Sequence, residues 1–133
     1  MTSTYANVIA GLHTRFATVT ALNTLFVGEP ESLEGWELPA LYSRLVTRTQ
    51  TWHGQVSATR YRTLHRVCVH WQDNAQAETD IIALADSVPA AIWADAHLGL
   101  LDALVTEFDG EAGFVTDLGV RSIDFYSEVL VKP

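Results

Sequence analysis

Cys68 and His70 are the neighbouring residues whose types best suit nucleophilic catalysis, a thiolate activated by an imidazole. They stand two positions apart. On an extended strand that spacing puts both on one face, with their Cβ atoms about 7 Å apart. This is too far for a hydrogen-bonded pair, and no third residue is evident to orient the imidazole. Cys68 therefore reads as a buried, inert thiol. His65 falls on the opposite strand face from His70, so the two are not expected to share a metal. His13, His53 and His97 are scattered, and none belongs to a His-x-x-x-His or Cys-x-x-Cys pattern. Glu29, Glu31, Glu34 and Glu37 are concentrated between residues 28 and 39. They lack the alternation and central glycine of a calcium loop, so a solvated acidic loop is expected. A glycine-rich phosphate loop and a Gly-x-Ser-x-Gly elbow are both missing. The expectation is a chain with no catalytic residues, no metal ligands and no cofactor.

The charged residues are more telling. Between Leu38 and Gln72 lie five arginines, Arg44, Arg48, Arg60, Arg62 and Arg66, with no Asp or Glu among them. The rest of the chain carries all 16 carboxylates against Arg15, Arg121 and Lys132, so +5 and −13 sum to the net −8. One acidic molecule thus contains its own basic surface. Such a chain is suited to binding copies of itself head to tail, or to presenting a basic strip to a polyanion.

The elements that position these arginines follow from periodicity. At 133 residues and 48% hydrophobic content, one domain over residues 1–133 is expected. A single cysteine excludes an internal disulfide and suits a reducing compartment. The N-terminus lacks a secretory pattern, and no run approaches the ~20 apolar residues of a membrane span, so a soluble intracellular domain is expected. Tyr5, Val8, Ile9, Leu12, Phe16 and Val19 repeat at helical spacing over 4–19, capped by Thr2, Ser3 or Thr4, with His13 and Arg15 pointing outward or to a neighbour. A short strand is expected over 23–27. Strands over 40–50 and 55–71 then make a long hairpin around Thr51-Trp52-His53-Gly54.

A helix over about 75–87 follows, introduced by Asp73-Asn74. Pro89 ends it and starts a second short helix over 90–94, with Trp93 packed on the sheet. Strands over 100–108 and 113–119 flank an Asp109-Gly110-Glu111 turn, and a last strand covers 121–131. The fold class is α+β: a mixed, mainly antiparallel sheet with a protruding hairpin, packed against an N-terminal and a central helix.

Strand alternation puts Arg60, Arg62 and Arg66 on one face, and Tyr42, Arg44, Val46 and Arg48 on one face of the partner strand. Whether the two faces coincide depends on register. The return strand, 17 residues at ~3.3 Å, would be roughly 55 Å long. A compact domain of this size is only about 35 Å across. The hairpin must therefore bend or project, and its polar outer half, with Trp52 near the tip, suits intermolecular docking. Free-standing nucleic-acid binding is disfavoured. Tyr61 points away from the arginines, where a stacking platform needs both on one surface, and the net charge repels phosphates.

In its layout the chain resembles the tail terminator (tail completion) proteins of long-tailed bacteriophages. The matching parts begin with an amphipathic helix ending near Thr-Ala-Leu-Asn-Thr-Leu-Phe, and Leu38-Pro39-Ala40-Leu41-Tyr42 leading into a strand. A hairpin returning as Arg60-Tyr61-Arg62-Thr63-Leu64-His65-Arg66-Val67-Cys68-Val69 and the helix over 77–89 follow. Leu98-Gly99-Leu100 and the final Glu128-Val129-Leu130-Val131 complete the pattern, which spans nearly the whole chain.

The resemblance implies a hexameric ring at the head-proximal end of the tail tube, ending tube growth and receiving the filled head. Its partners would be further copies of itself, the tail tube protein and a head–tail connector or neck protein. DNA would pass transiently through the lumen. The protein would reside in the virion after assembly in the host cytoplasm, without membrane contact and without catalytic residues. Arg44, Arg48, Arg60, Arg62 and Arg66 then read as interface or lumen residues and Trp52 as an arm anchor. The alternatives are another neck adaptor, or a small binding module that recognises an acidic partner through the hairpin.

Overall fold

A computed structural model describes residues 2–70, 74–113 and 120–133. Helix α1 covers Tyr5–Phe16. Thr4 caps it: its hydroxyl accepts from the Asn7 N–H, while the Asn7 side chain accepts from the Thr4 N–H. Two of the N–H groups that a helix leaves open at its start are satisfied in this way. Val8, Ile9, Leu12 and Phe16 form the buried stripe.

Strands β1 (Thr24–Val27), β2 (Ala40–His53) and β3 (Val56–His70) follow, then helix α2 (Asn74–Trp93) and strands β4 (Ala103–Gly113) and β5 (Val120–Val131). The sheet has the order β1-β2-β3-β5-β4. β1 runs parallel to β2, and the other three pairings are antiparallel. The expected α+β class with a mainly antiparallel sheet is what the chain adopts.

Both helices contribute to one core against one sheet face. Ala77, Ile81, Leu84, Val88, Ala91 and Ile92 of α2 join the α1 stripe over Leu41, Val67, Val69, Ile123, Phe125 and Val129. On the other face Tyr42, Cys68 and Val120 form a smaller cluster covered by Leu33, Trp36 and Leu38. Among the described residues the rest of this second face carries no helix, and we call it the open face.

Four expectations require correction. Pro89 lies inside α2 and does not end it. Proline removes one helical hydrogen bond, but Val88, Ala91 and Ile92 are buried, so core packing carries the helix across the defect. Trp93 is 49% exposed and not packed beneath the sheet. The hairpin reverses at Gly54-Gln55, with Gly54 at φ 67°, so Trp52 belongs to β2 and pairs with Ser57.

Asp109-Gly110-Glu111 is not a turn but the body of β4, where Gly110 pairs with Phe125. A Cβ on Gly110 would stand 2.6 Å from Cε1 of Phe125, so the glycine makes room for an aromatic ring. The remainder of the strand expected over 113–119, Asp73 and Trp71 lie outside the described residues.

Register slips by one residue at two places, between Leu45 and Thr47 in β2 and between Val105 and Glu107 in β4. Thr47 pairs with Arg62, Arg62 with Glu128, and Glu128 with Glu107. Both irregularities therefore fall on one row across the sheet. An extra residue bends and twists the strand that carries it. Beyond the row β2 is exposed, while Tyr61, Val129 and Val105 on the neighbouring strands stay in the core.

Candidate functional site

β2 loses its outer neighbour after Ser43, where β1 ends. β5 ends opposite Thr59 of β3, and beyond Thr59 the hairpin has no partner strand among the described residues. All β2 residues after Ser43 are exposed, Trp52 at 61%. Thr51, Trp52 and His53 pair only with Ala58, Ser57 and Val56. The projecting half of the hairpin is polar and threonine-rich, with Trp52 and Val56 as exposed apolar groups near its tip.

Direct partners in a ladder share a face, so the register settles the arginine arrangement. Arg44 pairs with Leu64 and Tyr42 with Arg66, which puts Arg44, Arg60, Arg62 and Arg66 together on the open face. The slip at Val46 moves Arg48 to the other side, opposite Tyr61. The expected grouping of Tyr42, Arg44, Val46 and Arg48 is broken by that bulge.

The open-face arginines meet carboxylates of their own chain. Arg66 forms a two-pronged pair with Asp124, donating from Nε at 2.7 Å and from Nη2 at 2.9 Å. Arg60 Nη1 donates to Glu128 at 2.8 Å. Arg62 lies 4.8 Å above the Tyr126 ring, a cation–π contact. Arg44 and Glu29 are 3.8 Å apart and exposed, a weak surface pair. Arg48 donates only a long 3.4 Å bond to Gln50 among the described residues. The basic strip is thus largely matched by β5, and its least committed cations, Arg44 and Arg48, sit on the free stretch of β2.

Cys68 behaves as expected. Burial pushes its thiol up to about 11, where it stays protonated and unreactive near neutrality. His70 is exposed at the end of β3. Among the described residues no group of three His, Cys, Asp or Glu side chains is placed to hold a metal ion. No helix among them is long and apolar enough to cross a membrane.

A polar chain inside the core was not anticipated. His13 Nε2 lies 2.8 Å from Ser43 Oγ, Ser43 Oγ 2.6 Å from His65 Nδ1, and His65 Nε2 2.8 Å from Ser127 Oγ. His13 therefore points inward and not to solvent. His65 is fully buried between Phe16, in edge contact at 4.9 Å, and Phe108, stacked at 5.9 Å. Loss of hydration lowers His65 to about 3, with His13 adding to the effect, and lowers His13 to about 4.

With both rings neutral the hydrogen bonds have two self-consistent directions. Either Ser43 donates to His13 while His65 Nδ1–H donates to Ser43 and Ser127 donates to His65, or every bond is reversed. No buried polar side-chain atom is left without a partner among the described residues. The signal in the sequence was His65 and Ser127 standing at core-facing positions of alternating strands.

No protein family matches this chain, and no curated protein matches it. Among solved structures it is similar to a chain of the virion of a native gene transfer agent particle, at 13% identity with a TM-score of 0.50, covering 93% of each chain. At that identity the likeness concerns the fold, which is shared over nearly the full length of both chains.

Proposed function

We propose that this chain is a structural protein of a phage-like virion, acting as a ring-forming adaptor of the tail-terminator type. In this reading six copies cap the head-proximal end of the tail tube, end its polymerisation and offer a surface to a head–tail connector or neck protein. DNA passes through the lumen, and no catalytic step is involved. The observation that carries the reading is the full-length fold likeness to a gene-transfer-agent virion chain. The exposed, unaccompanied hairpin supports it, because a projecting arm with Trp52 near its end is explained by a neighbour and not by a lone monomer.

The charge pairing refines which residues take part. Arg60, Arg62 and Arg66 are engaged within the chain, so intermolecular pairing falls to Arg44 and Arg48. Light scattering at low and high salt tests the assembly, with and without purified tail-tube protein. A species near six times 14.7 kDa is expected, dissociating as salt screens exposed pairs. A strict monomer under all these conditions would overturn the ring.

A further inference from the structure

We infer that the copies of this chain join edge to edge, the free stretch of β2 in one copy pairing antiparallel with β4 of the next, so that one sheet continues from subunit to subunit. The inference rests on the ring proposed above and states how the ring closes.

The sheet has two open edges at opposite ends. Residues 44–53 of β2 lie beyond β1, and among the described residues no backbone hydrogen bond reaches them from outside the hairpin. An antiparallel ladder points the N–H and C=O of alternate residues away from the partner strand. The two-residue turn makes His53 and Val56 a bonded pair, so counting back along β2 turns the backbone groups of Trp52, Gln50 and Arg48 outward.

At the other end, β4 is the last strand of the sheet. Its first residues are occupied: Val105 N–H donates to Ala96, and His97 lies 2.9 Å from the Ala103 carbonyl. Among the described residues the open part is therefore 106–113. Among them each edge is a row of backbone donors and acceptors with no partner strand, the feature that recruits another strand.

Direction matches, and charge matches on the open face. The β2 edge carries no carboxylate and presents Arg44 on that face, with Arg48 on the other. The β4 edge carries exposed Glu107 and Asp109, which pair with Glu128 and Tyr126 and so share the open face with Arg44. β2 and β4 run in opposite directions, since three antiparallel steps separate them. A neighbour related by rotation about an axis along the strands keeps its direction, so its β4 arrives antiparallel to β2 with its helices on the same side. This is a heterologous contact that uses different surfaces on each copy, and it closes into a ring when the rotation divides a full turn. The two open stretches are staggered: 106–113 stands level with the lower part of β2, while 44–53 reaches the tip. A sheet that closes on itself requires such a stagger.

The test uses two full-length variants. One carries Arg44→Glu with Arg48→Glu, leaving both edges acidic; the other carries Glu107→Arg with Asp109→Arg, leaving both basic. Each alone should remain monomeric, and an equimolar mixture should restore the wild-type ring mass, since an even ring can alternate them. Gln50→Pro is a second probe: it removes one outward N–H from an edge strand, a place that tolerates proline, and should abolish the ring while preserving the monomer's circular dichroism.

Rings formed by each charge variant alone, or by Gln50→Pro, would overturn edge pairing and leave the ring reading standing. Variants that still form rings but lose binding to purified tail-tube protein would assign the edge to that protein and also overturn the inference. A wild-type chain that never forms a ring would overturn both.

Discussion

The ring of Phe125 occupies the space where a side chain at Gly110 would begin: a Cβ there would stand 2.6 Å from Cε1 and 2.8 Å from Cδ1. Phe125 has little freedom to yield. It is 1% exposed and stacked at 5.3 Å on Phe108, which in turn stacks on His65. The glycine of β4 is therefore fixed by packing between strands and not by a turn.

Gly110→Ala is accordingly expected to destabilise the fold by roughly 1–3 kcal/mol, the usual cost of overpacking. The opposing gain from a stiffer unfolded chain is only about 0.4–1 kcal/mol. Urea denaturation measures the difference. Adding Phe125→Leu to Gly110→Ala should cost less than the two single effects summed, since the smaller side chain relieves the clash. Simple additivity would disprove the contact as the cause.

Acid should weaken the fold well before most carboxylates titrate. His13 and His65 are held neutral when folded, at about 4 and about 3, against 6.5 in an unfolded chain. Below pH 6.5 the unfolded chain takes up protons that the folded one refuses, so stability falls as pH drops from 6.5 towards 4. Above 6.5 neither histidine contributes a slope. Each adds about 1 kcal/mol per pH unit within the window. Denaturant midpoints between pH 4 and 7.5 should show this, and His13→Gln should flatten the curve by one proton's worth. A midpoint constant from pH 7 to 4.5 would contradict the buried neutral pair.

What depends on period is legible in the sequence. The alternation along β3 and β5 is plain because each strand turns one side to the core, as Ile123, Phe125 and Ser127 do against Asp124, Tyr126 and Glu128. Relationships set by distant register were not legible. Asp109-Gly110 is a strong local turn signal, and a contact with a residue fifteen positions later overrides it. Nothing in Leu45-Val46-Thr47 marks a bulge, yet that extra residue decides that Arg48 leaves the face of Arg44. The pairing of Arg66 with Asp124 likewise becomes visible only once β3 and β5 are aligned.

That pairing gives a third expectation. Arg66 and Asp124 are each about one quarter exposed, and their two-pronged geometry favours a measurable interaction. A double-mutant cycle with Arg66→Met and Asp124→Asn should give a coupling of roughly 1 kcal/mol, weaker in high salt. The Arg44–Glu29 pair, longer and more exposed, should give a coupling near zero. Equal couplings for the two pairs would mean that geometry and burial do not set their strength.

Trp52 separates folding from assembly most cleanly. It lies on the projecting end of β2, 61% exposed and opposite Ser57, and no ring contact within its own chain involves it among the described residues. Trp52→Ala should therefore change monomer stability by no more than about 0.5 kcal/mol, as for other surface sites. If a neighbouring copy receives the hairpin, the same substitution removes a large aromatic anchor. Losing such an anchor typically costs about 2 kcal/mol or more, a roughly 30-fold weaker association. Sedimentation across a concentration series reads the second effect and urea denaturation the first. Unchanged association together with a clear loss of monomer stability would mean that the indole packs against its own chain, and the projecting hairpin would lose its role as an arm.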